Sequence, residues 1–263
     1  MQIGISWCGS QRPSVSRMST QGGDCAIMAA DLKLWDKLLP DQRLNNIYFG
    51  GGDYHHALYD LIVHTSGLQL PQESFKLALS DKVTIEEMAS NPVQLRLLDL
   101  IVRVLQPMRI IEIGAFIGLS AMTMARAMPA GGKLTTIEKF DHFADICRRN
   151  FAANGLADRI TVVEGDAFEA LDKIPKSELF DLAFIDGNKE RYAHYFETLE
   201  PRVRSGGLIL VDDVFFHGDV LNAKTTTEKG EGCKRFMELA ARRNNYVKLA
   251  LPLCNGLMLM LKN

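Results

Sequence analysis

The chain has 263 residues, 47% hydrophobic and 24% charged, enough to bury a sizeable core without a metal or disulfide staple. Lys and Arg number 30 against 32 Asp and Glu, and the resulting net charge of −2 gives no global field for a nucleic-acid partner. Cys8, Cys25, Cys147, Cys233 and Cys254 are scattered, odd in number and without a CxxC pair, which excludes a disulfide framework and fits a reducing cytoplasm.

Residues 1–28 are rich in Ser, Gly, Gln and Pro and lack a continuous apolar stretch, so a disordered tail is expected and not a secretory leader. No run reaches membrane-spanning length. Residues 29–83 read as an N-terminal helical segment, with helices at 29–40 and 53–67. A longer helix is expected over 84–106, where Leu95, Leu97, Leu98, Leu100, Ile101 and Val104 make a broad apolar stripe ended by Pro107.

From 109 short apolar runs alternate with helical ones. Strands are expected at 109–115, 133–140, 160–167, 180–187 and 206–213. Helices are expected at 119–128, 143–155, 167–173, 189–202 and 230–244. That alternation means right-handed βαβ units and a doubly wound, mostly parallel sheet covered on both faces. Residues 246–263 add two strands around a Pro/Asn-Gly turn, an antiparallel hairpin at the sheet edge, for seven strands in all. Residues 84–263 form the main domain of this Rossmann-like α/β fold.

Ligands of open parallel sheets bind beyond the carboxyl ends of the strands, and here those ends carry acids: Glu112, Glu138, Asp166, Asp186, and Asp212 with Asp213. "EIGAFIGLS" sets Gly114 and Gly118 at the turn into a helix, where backbone can approach a ligand closely. The spacing is GxxxG with bulky Phe116 and Ile117, which weakens a dinucleotide reading. Glu138, at the end of the next strand, suits a ribose diol. Asp186 and Asp212 end neighbouring strands and Asp213 extends the set. Converging carboxylates favour a hard divalent cation, Mg²⁺ first, then Mn²⁺ or Ca²⁺. A lone strand-end Asp would more often be a helix cap or solvated loop residue.

"IIEIGAFIGLSAMTMARAM…LTTIEKF", "FIDGNKERY", "LILVDDVFFHG" and "LPLCNGLMLMLK" together resemble the motifs of class I S-adenosylmethionine-dependent, cation-dependent O-methyltransferases of the catechol and caffeoyl-CoA type. The resemblance implies that Glu112, Gly114, Ala115 and Ser120 line the methionine part of S-adenosylmethionine, with a looser backbone contact at Met88. It implies that Glu138 holds the ribose, that Ala167 and Asp166 adjoin the adenine, and that Asp186 serves cofactor and metal together. Phe116 is an aromatic suited to the sulfonium. Asp186, Asp212 and Asp213 are the implied metal ligands, although relatives usually carry Asn at the third position. Lys189 falls at the general-base position, and a neighbouring cation would depress its pKa.

The expected reaction is methyl transfer to a metal-chelated hydroxyl of a small phenolic or catechol-like acceptor, by a homodimer. A hydroxylated tRNA nucleoside is the alternative acceptor, favoured by "CRRN", "KRF" and "ARRNN" and disfavoured by net charge. A non-catalytic nucleoside-binding protein and a dehydrogenase are the readings of other classes. His217 reads as a solvated loop residue and the 214–229 segment as a mobile loop over the acceptor. His55 and His56 read as surface, His194 and Tyr192 as packing, and Met122, Met124 and Met128 as core.

Overall fold

A computed structural model of the chain describes residues 61–263. The 1–28 tail, the 29–40 helix, most of the 53–67 helix, Cys8, Cys25, His55 and His56 lie outside the described residues. Of the 53–67 expectation, residues 61–65 are helical.

Seven strands form one sheet: β1 (Arg109–Ile113), β2 (Lys133–Glu138), β3 (Ile160–Glu164), β4 (Phe180–Ile185), β5 (Val203–Val211), β6 (Tyr246–Leu251) and β7 (Leu257–Lys262). Their order is β3-β2-β1-β4-β5-β7-β6. The first five are parallel, and β7 runs antiparallel to β5 and β6. This is the expected mostly parallel sheet with a closing hairpin. Leu182, Ala183, Phe184 and Ile185 of β4 are fully buried because helices cover both faces.

One layer holds α3 (Pro92–Leu105), α4 (Leu119–Ala127) and α5 (Asp141–Ala153), packed on Ile110, Leu134, Leu182 and Leu210. The other holds α6 (Ala167–Lys173), α7 (Tyr192–Leu199) and α8 (Glu228–Arg242), packed on Ile111, Ile113, Ala183 and Ile209. Two one-turn helices, α1 (Pro71–Ser74) and α2 (Ile85–Met88), lie between helical residues 61–65 and α3. Met122, Met124 and Met128 are core residues, as expected.

The helix expected over 84–106 is broken. α2 stops at Met88 and α3 starts at Pro92, because a proline disfavours helix in the residue before it and is well placed at a first turn. Asn91 is extended there and caps α3 by accepting the Gln94 N–H at 2.9 Å. The buried face of α3 is Gln94, Leu95, Leu98 and Val102. Leu100 and Val104 of the expected stripe point outward, 52% and 85% exposed.

The segment before α2 packs on the same core. Phe75 is buried under the Arg126 guanidinium, 3.9 Å from the ring centroid. Two asparagines one turn apart, Asn150 on α5 and Asn154 at its C-cap, act as a strand partner for residues 76–78. Asn150 accepts from the Ala78 N–H and donates to the Ala78 and Ile117 carbonyls, while Asn154 bonds both backbone groups of Lys76.

Candidate active site

The chain leaves β1 to build β2 and β3, then returns to lay β4 on the other side of β1. Strand order reverses there, which opens a crevice at the carboxyl ends. Register brings the acids to its rim. Ile113 pairs with Ile137 and Ile185, and Ile185 with Val211, so Asp186 and Asp212 follow directly on adjacent parallel strands. The Asp186 N–H donates to the Ile113 carbonyl and the Asp212 N–H to the Ile185 carbonyl.

On the β1–β2 side, Glu112 is fully buried and accepts from Ser120 Oγ at 2.6 Å and Thr136 Oγ1 at 2.5 Å. Burial pushes its pKa from 4.5 up to about 7 against those two hydrogen bonds, with Asp186 and Glu138 adding to the rise. Glu138, also buried, accepts from the N–H groups of Ala115, Phe116 and Phe140, and so ties the glycine loop to the end of β2. Gly114 has φ +95, and a Cβ there would lie 2.2 Å from the Asp186 carbonyl oxygen. Only glycine lets the β1 and β4 loops touch. Asp166 caps α6 through the Phe168 N–H and pairs with Arg191 at 2.8 Å, beside buried Ala167. Met88 ends α2, ahead of the α3 cap, and is half exposed. The Phe116 ring departs from expectation. It is buried in the helix-layer core, edge-on to Phe143 at 5.1 Å, so the residue contributes its N–H to the loop and its ring to packing.

On the β4–β5 side, Asp186, Asp212 and Asp213 each bring a carboxylate oxygen within 4.8 Å of the others. Lys189 Nζ lies between two of them, 2.8 Å from Asp186 and 2.9 Å from Asp213. Asp212 is buried, accepting the Gln94 side-chain amide at 2.6 Å and the Asp213 N–H at 2.8 Å. Burial raises the Asp186 pKa to about 6 against the pull of Lys189. Burial, with Asp213 and Asp186, holds Asp212 well above the carboxylate range. The depressed pKa expected for Lys189 is conditional on a bound cation, and the protein groups alone act the other way. Burial lowers it, but Asp186, Tyr192 and Asp213 outweigh burial and hold the ammonium well above an ordinary lysine.

Several residues at this rim gave no functional signal in the sequence. Gln94 stands within an apolar helix, three residues after the Asn91 cap, where a capping-box partner belongs. Its amide goes to Asp212 instead. Asn91 reaches Cys254 in the hairpin turn. Asn255 accepts the Phe215 N–H on its carbonyl and the His217 N–H on its side chain, folding residues 252–256 back over the site. Asp219 accepts from Asn222, Thr226 and Thr227, so the segment read as mobile is organised around a buried carboxylate. His217, read as solvated, is half-buried against Phe216. Tyr192 is buried and His194 stacks on Phe168, both as expected.

Backbone strain marks the same rim. Among the described residues, non-glycine positive φ occurs at Phe116, Asp213, Phe216, His217 and Cys254 here, and otherwise at Gln106, which caps α3.

Known proteins resemble this chain over most of its described residues. A family model described as O-methyltransferase matches residues 72–263. The chain is 32% identical over 148 residues to a catechol O-methyltransferase of Niastella koreensis, covering 56% of this chain and 67% of that one. It is 33% identical over 151 residues to a catechol O-methyltransferase of Mycobacterium tuberculosis, covering 57% and 68%. Among solved structures, the Streptomyces achromogenes O-methyltransferase TomG, in complex with S-adenosylmethionine, superposes with a TM-score of 0.64 at 31% identity, over 67% of this chain and 82% of that one. A Bacillus cereus O-methyltransferase in complex with S-adenosylhomocysteine gives 0.63 at 27% identity, over 84% and 96%. A glycine loop tied to a strand-end acid, set across a strand-order switch, thus occurs in a chain that belongs to the O-methyltransferase family.

Proposed function

We propose that the chain transfers the methyl group of S-adenosylmethionine to a hydroxyl of a small catechol-like or phenolic acceptor chelated to a divalent cation. The convergence of Asp186, Asp212 and Asp213 across from the Glu112–Glu138 loop carries this reading. The donor set fits a hard cation. It consists of carboxylate oxygens from three residues, all within 4.8 Å of one another, which suits a hard divalent ion. Mg²⁺ is the first candidate, then Mn²⁺ or Ca²⁺. Such an ion, when bound, lowers the pKa of a coordinated hydroxyl and fixes its orientation.

Asp186, Asp212 and Asp213 would hold the ion. Lys189 would take the acceptor proton at Nζ. The carboxylate charge that keeps its pKa high would then be engaged by the cation. Glu112, Gly114, Ala115 and Ser120, with the backbone at Met88, would line the methionine moiety. Glu138 would hold the ribose, and Asp166 and Ala167 would adjoin the adenine. The catechol O-methyltransferase relatives support a small phenolic acceptor. A binding-only protein would have no need to gather Asp186, Asp212 and Asp213 within 4.8 Å of one another with Lys189 paired to two of them.

Among the described residues no helix is long and apolar enough to cross a membrane. A cytoplasmic location and a homodimer belong to the same proposal. The free thiols of Cys147, Cys233 and Cys254 support the first, and exposed Val247 and Leu249 on edge strand β6 support the second.

The test is methyl transfer from labelled S-adenosylmethionine to catechols, phenolic esters and hypomodified tRNA, with and without chelator. Chelator-sensitive labelling of a catechol is the expected result. Labelling of tRNA alone would move the acceptor to RNA, and transfer unaffected by chelator would refute the metal.

A further inference from the structure

The first two turns of α8 touch the Lys189 turn, the Asp213 backbone and the 219–227 segment. Gly230 packs on the Asp219 carboxylate, and a Cβ there would lie 2.0 Å from its oxygen. Gly232 packs on the Lys189 turn, where a Cβ would lie 2.3 Å from the Lys189 carbonyl oxygen and 2.5 Å from Glu190 Cα. The Cys233 thiol, fully buried, donates to the Asp213 carbonyl at 3.5 Å. Lys234 Nζ donates to the Asn222 carbonyl at 2.8 Å, and Arg235 to the Glu190 carbonyl at 3.4 Å. Five of the six residues from Gly230 to Arg235 are thus divided between two targets. Gly232, Cys233 and Arg235 meet the turns that carry Lys189 and Asp213. Gly230 and Lys234 meet the 219–227 segment.

Glycine is a poor helix former, and two of them in the opening turns of a helix weaken it unless the space beside them is needed. Neither is among the positive-φ residues, so alanine fits the backbone at both. The occupied space is therefore what excludes a side chain. We infer that Gly232 is a positioning residue for Lys189: its missing Cβ lets the α8 backbone serve as the wall against which the lysine turn is set. The inference rests on the proposed role of Lys189 and adds a determinant outside the Asp186–Asp213 cluster.

The magnitude follows from the contact. Relieving a 2.3 Å approach to an ordinary 3.4 Å moves the Lys189 turn by roughly 1 Å. Displacement of a catalytic group by that distance costs on the order of 10²-fold in rate.

The experiment compares Gly232→Ala with Gly230→Ala in the full chain. The readouts are kcat and acceptor KM, S-adenosylhomocysteine affinity by calorimetry, and the Lys189 ¹³Cε resonance in lysine-labelled protein, assigned with Lys189→Arg. Gly232→Ala should lower kcat about 10²-fold, leave KM and S-adenosylhomocysteine affinity within about twofold, and move the Lys189 resonance. Gly230→Ala, the same change two residues away, should leave that resonance in place. If Gly232→Ala does not fold, Arg235→Ala removes a contact of the same helix with the Lys189 turn without adding volume, and should lower kcat several-fold and move the Lys189 resonance with KM unchanged. An unmoved resonance in Gly232→Ala, or a loss of kcat matched by loss of S-adenosylhomocysteine affinity, would overturn the inference. A wild-type chain that transfers no methyl group while the resonance still moves in Gly232→Ala alone would refute the proposed function and leave the positioning intact.

Discussion

Glu112→Gln removes one buried ionisable group while keeping its shape, and its consequences can be worked out from the structure. The carboxyl is fully buried between Ser120 Oγ and Thr136 Oγ1, and its pKa rises from 4.5 to about 7. A carboxyl with a raised folded pKa contributes stability that is complete below the unfolded value and is lost as pH rises through the folded one. Between pH 5.5 and 8 the wild-type chain should lose about 2 kcal/mol of unfolding free energy from this site alone, and Glu112→Gln should lose none of it. Urea denaturation of both proteins at several pH values measures the difference. Cofactor binding runs the opposite way. A cationic amino group beside the site favours the carboxylate, so S-adenosylhomocysteine affinity should rise by up to about tenfold per pH unit below pH 7 and level off above it. The variant should bind more weakly with no such slope. A stability difference that does not change with pH would refute the burial argument. A slope shared by wild type and variant would refute the assignment of that slope to Glu112.

Asp186→Ala and Asp212→Ala should abolish methyl transfer while the chains remain folded, and Asp213→Asn should keep it. Labelled-methyl assays with excess Mg²⁺ check all three. Gln94→Leu leaves the buried Asp212 carboxylate without its side-chain donor, and should weaken cation binding about 10- to 100-fold, read by Tb³⁺ luminescence titration. Gly114→Ala forces a Cβ to within 2.2 Å of the Asp186 carbonyl at φ +95. It should cost more than about 1 kcal/mol in thermal unfolding and abolish S-adenosylhomocysteine binding.

The αβ alternation after residue 109 was legible because strands buried on both faces read as short continuous apolar runs, and local pattern alone reports that. The break at Ala89–Asn91 was less so, because the apolar stripe runs through it and only Pro92 marks it. The acids at strand ends could be read as a group because a parallel sheet sends all its carboxyl ends one way. Gln94, Asn255 and Asp219 escaped because their partners lie 118, 38 and up to 8 residues away, and nothing in their own neighbourhoods sets them apart. The Phe116 ring escaped for a further reason. Its place depends on what surrounds it, which residue type does not specify.

By itself, then, the sequence determined which residues end strands and which segments must be buried, since both follow from residue order and hydrophobicity. Tertiary structure decided what those residues face. Asp212 and Asp213 sit together at the end of an apolar strand, and their meaning came from register. Ile185 beside Val211 brings Asp186 into the cluster, Gly232 lets α8 press Lys189 against it, and Gln94 arrives from a helix 118 residues earlier. Charge at such a site is set by distance and burial, and both are properties of the folded chain.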